Sequence, residues 1–111
     1  MSTIQAVPAH AAWTAPRPDS DGYWRKVVRA VYSIDGYAPV RVTINIGDNH
    51  ASLHTTILPG GSVWREPSSR QRRALVDAAL EGTGLRRVPG SRATNRSDSQ
   101  WWWRYEIEQA G

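Results

Sequence analysis

The clearest alternation of large apolar and polar residues lies near the C-terminus, in the run WWWRYEIE over 101–108. Side chains of a β-strand point alternately to its two faces. On one face this pattern places Trp101, Trp103, Tyr105 and Ile107, and on the other Trp102, Arg104, Glu106 and Glu108. A Trp or Tyr buries roughly 150–250 Å². We therefore expect the face that carries Trp103 to anchor the core.

Two runs earlier in the chain show the same period of two. Residues 23–34 place one apolar set on a single face, and residues 40–46 do so more regularly with Val40, Val42, Ile44 and Ile46. The turn between them, over 35–39, contains Gly36, which can adopt a positive φ. A further turn at 47–49 leads to a third predicted strand over 53–58. Short connections between these strands predict an antiparallel meander.

One helix is predicted, starting at Ser68. Ser68 and Gln71 have the spacing of a capping box, and Gly82 and Gly84 can end the helix in the left-handed conformation. The apolar stripe of this helix would cover one face of the sheet. A short strand over 85–88, a polar loop over 89–100 and the Trp-rich strand follow. The sequence thus predicts an α+β fold, an antiparallel β-sheet in the chain order β-β-β-α-β-β with the helix packed on one face.

The length of 111 residues suits a single domain. Residues 1–22 contain Pro8, Pro16 and Pro18 and predict an irregular N-terminal arm, with the domain over 23–111. Trp13 is expected to pin the arm to the domain, the alternative being an exposed hook for a partner. The chain has no cysteine, which excludes disulfides and thiol chemistry. Because no signal peptide or membrane-spanning run is seen, a cytoplasmic protein without membrane contact is expected.

The formal net charge is +4, and it is concentrated in the second half of the chain. Between residues 65 and 104 there are nine arginines against four acids, and the rest of the chain sums to −1. Such a surface can bind phosphates or an acidic protein. An alternative is genomic bias, because thirteen arginines accompany a single lysine, as a GC-rich genome would produce.

Three of these arginines, Arg70, Arg72 and Arg73, lie in the first helical turn. The free N–H groups of a helix start repel cations there by a few tenths to about 1 kcal/mol each. A bound anion would offset that repulsion, which predicts an anion site formed by N–H groups and guanidiniums. The alternative is that the arginines point into solvent, pair with nearby acids or, for Arg72, cover the apolar stripe.

A second basic set follows on the short strand and the polar loop, namely Arg86, Arg87, Arg92 and Arg96. Trp102, beside Arg104, is expected on the less buried face, where it could stack on a base or a partner. A polar loop of this length is either mobile or functional. Trp102 could instead be covered by its own protein or lie under Arg104. The candidate binding residues are Arg70, Arg72, Arg73, Arg86, Arg87, Arg92, Arg96, Trp102 and Arg104.

These features favour a non-enzymatic, small basic binding module that engages nucleic acid or a nucleoprotein complex through an arginine-rich surface. The alternative is an inhibitor or adaptor of the kind that phages and mobile elements encode, which would bind an acidic protein partner. A possible homodimer would form through a sheet edge.

A third hypothesis is a small metal-independent ribonuclease, which the chain resembles only in size and composition. It would use His50 or His54 with Glu106 and an arginine. A metal site at Asp48, His50 and His54 is disfavoured, because alternate strand residues are about 7 Å apart. Neither a metal nor a cofactor is predicted.

Overall fold

The computed structural model describes residues 11–13, 24–34, 36–58, 63–95 and 101–111. Within them the chain forms one helix and seven strands, which we number β1 Ala11–Trp13, β2 Lys26–Tyr32, β3 Val40–Ile46, β4 His50–Ile57, α1 Ser69–Leu80, β5 Leu85–Arg87, β6 Thr94–Asn95 and β7 Trp102–Gln109. The strands make an antiparallel sheet in the spatial order β1-β2-β3-β4-β7-β5, and β6 also pairs with β7.

The predicted α+β architecture is confirmed, with the β2-β3-β4 meander, the helix and the β5–β7 hairpin in the expected chain order. Two strands, β6 and β4, differ from the prediction. β6 lies inside the segment predicted as a loop over 89–100, and β4 begins at His50 instead of residue 53. Both follow from β7, which offers unpaired backbone groups to β6 on one side and to the first half of β4 on the other.

Strand β1 corrects the prediction of an irregular arm over 1–22. Ala11–Trp13 pairs with the end of β2, Trp13 lying opposite Ala30. None of these three residues is a proline, so each keeps a backbone N–H group, and the segment can pair along the open edge of β2. The rest of the arm lies outside the described residues, and there the irregular arm and the 1–22 boundary stay predictions.

The core lies between α1 and the face of the sheet that carries the regular apolar alternation. Val40, Val42 and Ile44 of β3 are fully buried, and Leu75 and Val76 of α1 pack against them. The Trp-rich strand contributes Tyr105 and Ile107, both 4% exposed, so its predicted buried face is confirmed at those positions. The sheet thus has a helix face, covered by α1, and an opposite outer face.

Helix α1 begins with the capping box that the sequence predicts. The Ser68 hydroxyl accepts from the Gln71 N–H at 3.2 Å, and the Gln71 side chain accepts from the Ser68 N–H at 2.8 Å. Gly82, just after the helix, has φ +77°, a left-handed conformation suited to glycine. Among the residues that the structure describes, no helix is long and apolar enough to cross a membrane.

Candidate functional site

The sheet register divides the predicted arginine surface between two faces. Residues paired across an antiparallel ladder point to the same side of the sheet. Arg87 pairs with Ile107 and therefore lies on the helix face, whereas Arg86 pairs with Glu108 and lies on the outer face. Trp102 and Arg104 share the face of Glu108 by alternation along β7.

A cavity of about 290 Å³ opens on the helix face, between the start of α1, the segment after β5 and the strands β5 and β7. This volume lies near the lower end of small-ligand sites, which span roughly 300–1,000 Å³. Its polar lining is four arginines and two serines, Arg72, Arg73, Arg87, Arg92, Ser69 and Ser91. Trp103, Tyr105 and Ala93 complete the wall. We call this cavity the arginine pocket, and among the residues that the structure describes no carboxylate lines it.

Arg72 forms a rigid wall of the arginine pocket. The residue is only 8% exposed, and its guanidinium lies 3.8 Å from the ring centre of Trp103. It donates to the Pro67 carbonyl at 2.7 Å and pairs with Glu66 at 3.5 Å, and Glu66 also accepts from the Trp103 indole. The charge of Arg72 is therefore compensated, and the side chain is part of the packed structure.

Arg87 is held across the pocket by an acid of the helix. Its Nε and Nη2 donate to the two carboxylate oxygens of Asp77 at 2.6 and 2.9 Å. This two-point contact fixes the plane of the guanidinium. The hydrogen bond to Asp77 raises the pKa of Arg87, against a smaller opposing effect of burial. Asp77 therefore compensates the charge of Arg87.

Arg73 and Arg92 supply the uncompensated charge of the pocket. Both are exposed. Arg73 donates to the Ser69 hydroxyl at 2.7 Å, which directs its guanidinium towards the helix start. The Ser91 hydroxyl donates to the Val88 carbonyl at 2.7 Å and fixes the turn that carries Arg92. In the described part of the chain, neither arginine has a carboxylate within ion-pair distance.

The backbone at the start of α1 adds partial positive charge to the same side. Of the four N–H groups that a helix leaves unpaired at its start, those of Ser68 and Gln71 are used by the capping box. The N–H groups of Ser69 and Arg70 remain at the open end, and the first turn contains no acidic residue. Arg70 is exposed in this turn and is not part of the pocket wall.

Tyr105 closes the floor of the pocket as a protonated phenol. Burial raises the pKa of Tyr105, although the hydrogen bond and charge of Arg72 oppose this rise. Arginine side chains are charged in proteins, and serine hydroxyls carry no charge. Among the described residues, the lining contains no histidine, the side chain whose charge ordinarily changes between pH 5 and 8.

On the outer face, the two predicted binding arginines each pair with one glutamate of β7. Arg86 contacts Glu108 at 2.7 Å across the β5–β7 ladder, and Arg104 contacts Glu106 at 2.9 Å along β7. Trp102 stacks on His54, with ring centres 4.7 Å apart and an angle of 11° between the planes. The outer-face tryptophan is therefore covered on one side by its own protein, the alternative that the sequence left open.

The residues of the ribonuclease hypothesis partly meet on the outer face. His50 lies directly opposite Glu106, and Arg104 bonds to Glu106. Burial and Arg104 lower the pKa of His50, while Glu106 opposes them. The lowered pKa favours the neutral form of the His50 ring.

The residues of the metal hypothesis, Asp48, His50 and His54, do not form a metal-binding cluster in the described structure. Asp48 pairs with Arg25 at 3.6 Å, and His54 stacks on Trp102. Over the described ranges, no three residues of the His, Cys, Asp and Glu types gather closely enough to hold a metal ion.

Of the predicted binding residues, the arginine pocket brings together Arg72, Arg73, Arg87 and Arg92. Arg70 is adjacent in the first turn, and Arg96 lies outside the described residues. The outer face holds Arg86, Trp102 and Arg104. Sequence reasoning missed Ser69, Ser91, Trp103 and Tyr105 as pocket residues; the alternation along β7 did place the two aromatic residues on the correct face. No known family matches the chain, and no curated protein or solved structure is significantly similar to it.

Proposed function

We propose that the protein is a non-enzymatic binding module that engages the phosphate backbone of nucleic acid, free or within a nucleoprotein complex, through the arginine pocket. One observation carries the proposal: four arginines line a single recess whose described lining includes no carboxylate, and two of them lack an acidic partner in the described chain. Guanidiniums and helix-start N–H groups are the donors that phosphate oxygens accept best.

The four arginines of the pocket differ in their partners and exposure, and this difference supports binding of a backbone phosphate. Arg72 and Arg87 are held by Glu66 and Asp77 and give the pocket its shape. Arg73 and Arg92 are exposed and can turn their donors to the phosphate oxygens. One ring face of Trp103 is occupied by the Arg72 guanidinium, so that face is not available to stack on a base. Recognition through phosphates alone predicts little dependence on base sequence.

The test is a fluorescence-anisotropy titration with short single-stranded DNA and RNA over a series of salt concentrations. The double variant Arg73→Gln/Arg92→Gln is expected to lower affinity and to reduce the slope of log affinity against log salt by about two units, about one for each lost contact. The matched control is Arg86→Gln/Arg104→Gln, which removes the same charge from the outer face and should retain most of the affinity.

Two results would overturn the proposal. One is the absence of binding by the unmodified protein even at low salt. The other is an equal loss of affinity in the pocket variant and the outer-face control, because that would show an effect of net charge and not of the pocket.

A second candidate function is the protein-binding inhibitor or adaptor, favoured by an apolar patch at the far end of the meander. Tyr37, Ile57 and Val63 are 38%, 41% and 59% exposed. Val63 bonds to Ala38 and Ile57 pairs with Val40, so the three side chains belong to one end of the sheet. Exposed apolar clusters are typical of protein interfaces. Retrieval of one defined protein complex after nuclease treatment, lost on Ile57→Asp, would support this function over the first.

A further inference from the structure

We infer that the arginine pocket selects a phosphomonoester, the terminal phosphate of a nucleic-acid strand, over the internal phosphodiesters. This inference deepens the proposed function and rests on it. It concerns which phosphate of the polymer enters the pocket, and therefore whether the protein binds strand ends or positions along a strand.

The charge of the pocket matches a terminal phosphate. Glu66 compensates Arg72 and Asp77 compensates Arg87, so Arg73 and Arg92 leave two positive charges without a partner among the described residues. An internal phosphodiester carries one negative charge, whereas a phosphomonoester carries about 1.5 to 2 at pH 7. A strand end therefore neutralises the pocket, and an internal phosphate leaves it about half neutralised.

The donors also favour a group with several free oxygens. Arg73 and Ser69 approach from the start of α1, and Arg92 approaches from the turn that follows β5. The Ser69 hydroxyl accepts from Arg73, so its own proton is available to the ligand. A terminal phosphate has three oxygens free to meet donors on two sides, whereas an internal phosphate uses two of its oxygens in ester bonds.

Arg70 argues for the end of a polymer over a phosphorylated protein side chain. It is exposed in the same helical turn but outside the pocket. A strand whose terminal phosphate occupies the pocket has an internal phosphate one nucleotide away, which a long arginine at the rim can contact. A phosphorylated peptide, in contrast, does not always carry a second anion next to its phosphate.

The pH dependence of binding distinguishes the two kinds of phosphate. The described lining of the pocket contains no histidine, the side chain whose charge ordinarily changes between pH 5 and 8. His50 and His54 lie on the outer face, away from the pocket. The second ionisation of a phosphomonoester, near pH 6, is then the step that changes affinity, and a phosphodiester has no such step.

The experiment compares two oligonucleotides by anisotropy at constant ionic strength. One carries a terminal phosphate, at the 5′ end and in a second series at the 3′ end. The other ends in a hydroxyl and is one nucleotide longer, so that both contain the same number of phosphates. At pH 7.5 the phosphorylated strand is expected to bind at least about fivefold more tightly, the effect of one additional charge at contact distance. This preference should shrink as the pH falls below 6.

Variants show whether the preference arises in the pocket. Arg92→Gln is expected to abolish it, and Arg86→Gln to leave it unchanged; both positions are exposed in the structure. Equal affinity of the two oligonucleotides with normal salt dependence would overturn the inference and leave the proposed function intact. Failure of both to bind would overturn the proposed function itself. A phosphoserine peptide that binds as tightly as the phosphorylated strand would overturn the assignment to strand ends.

Discussion

The predicted binding arginines on the helix face and on the outer face of the sheet differ in how their charges are compensated. On the outer face, Arg86 and Arg104 each bond to a glutamate of β7. Two of the four arginines in the arginine pocket are paired, one with Glu66 and one with Asp77. The other two have no acidic partner among the described residues. The number of arginines therefore does not mark a candidate site. Their excess over acids within contact distance does.

The backbone explains this difference. Arg86 faces Glu108 because the ladder pairs them, and Arg104 shares a strand face with Glu106 because they are two residues apart. At the start of α1 no acidic residue occupies the first turn, although an acid there would be stabilising. The chain thus leaves positive charge uncompensated at the position where the helix dipole already disfavours it.

The largest expected effect is the loss of stability when Glu66, the acid paired with Arg72, is replaced. Glu66→Gln leaves the buried Arg72 without its counter-charge and is expected to lower the free energy of unfolding by about 3–5 kcal/mol. Glu108→Gln removes the partner of the exposed Arg86 and should change it by about 1 kcal/mol or less. Urea denaturation measures both. Equal losses would mean that the two faces do not differ as described.

A smaller effect is expected from freeing one arginine on each face. Asp77→Asn leaves Arg87 uncompensated at the pocket and is expected to tighten nucleic-acid binding about fivefold, the effect of ~1 kcal/mol for one charge at contact distance. Glu106→Gln frees Arg104 on the outer face and changes the net charge equally, so it controls for long-range attraction. Affinity that rises to the same extent in both variants would assign binding to net charge.

The smallest expected effect is the pH dependence of stability that arises from His54 on the outer face. Burial lowers the pKa of His54 below the ordinary histidine value of 6.5, so the unfolded chain binds a proton at a higher pH than the folded chain does. Stability is therefore expected to fall as the pH drops below 6.5. His54→Gln should weaken this dependence, and His50, whose pKa is lowered in the same direction, should retain part of it. Urea midpoints between pH 5 and 8 test this, and an unchanged dependence in His54→Gln would refute it.

The sequence predicted those parts of the fold whose signal is local. Alternation at Val40, Val42, Ile44 and Ile46 predicted a strand with one fully buried face, and the spacing of Ser68 and Gln71 predicted the helix start. Strand β1 was missed because three residues between prolines carry no periodic signal and acquire their structure from the edge of β2.

The site was predicted less completely, because it depends on contacts between distant residues. The first-turn arginines were recognised, but which of them is buried depends on Glu66 and Trp103, whose positions are separated by 37 residues in the chain. Strand alternation places Arg86 and Arg87 on opposite faces, but the pairing with β7 decides that Arg87 is the one on the helix face. Ser69 and Ser91 were not recognised, because small polar residues become informative only once their neighbours are placed.

We propose that an anionic ligand binds in the arginine pocket and not at the paired Arg86 and Arg104 of the outer face. Amide and arginine side-chain NMR shifts measured during titration with a short oligonucleotide test this most directly. The largest changes are expected at Ser69, Arg70, Arg73 and Arg92. Changes concentrated at Trp102, Arg104 and Arg86, with the start of α1 unaffected, would contradict the central claim.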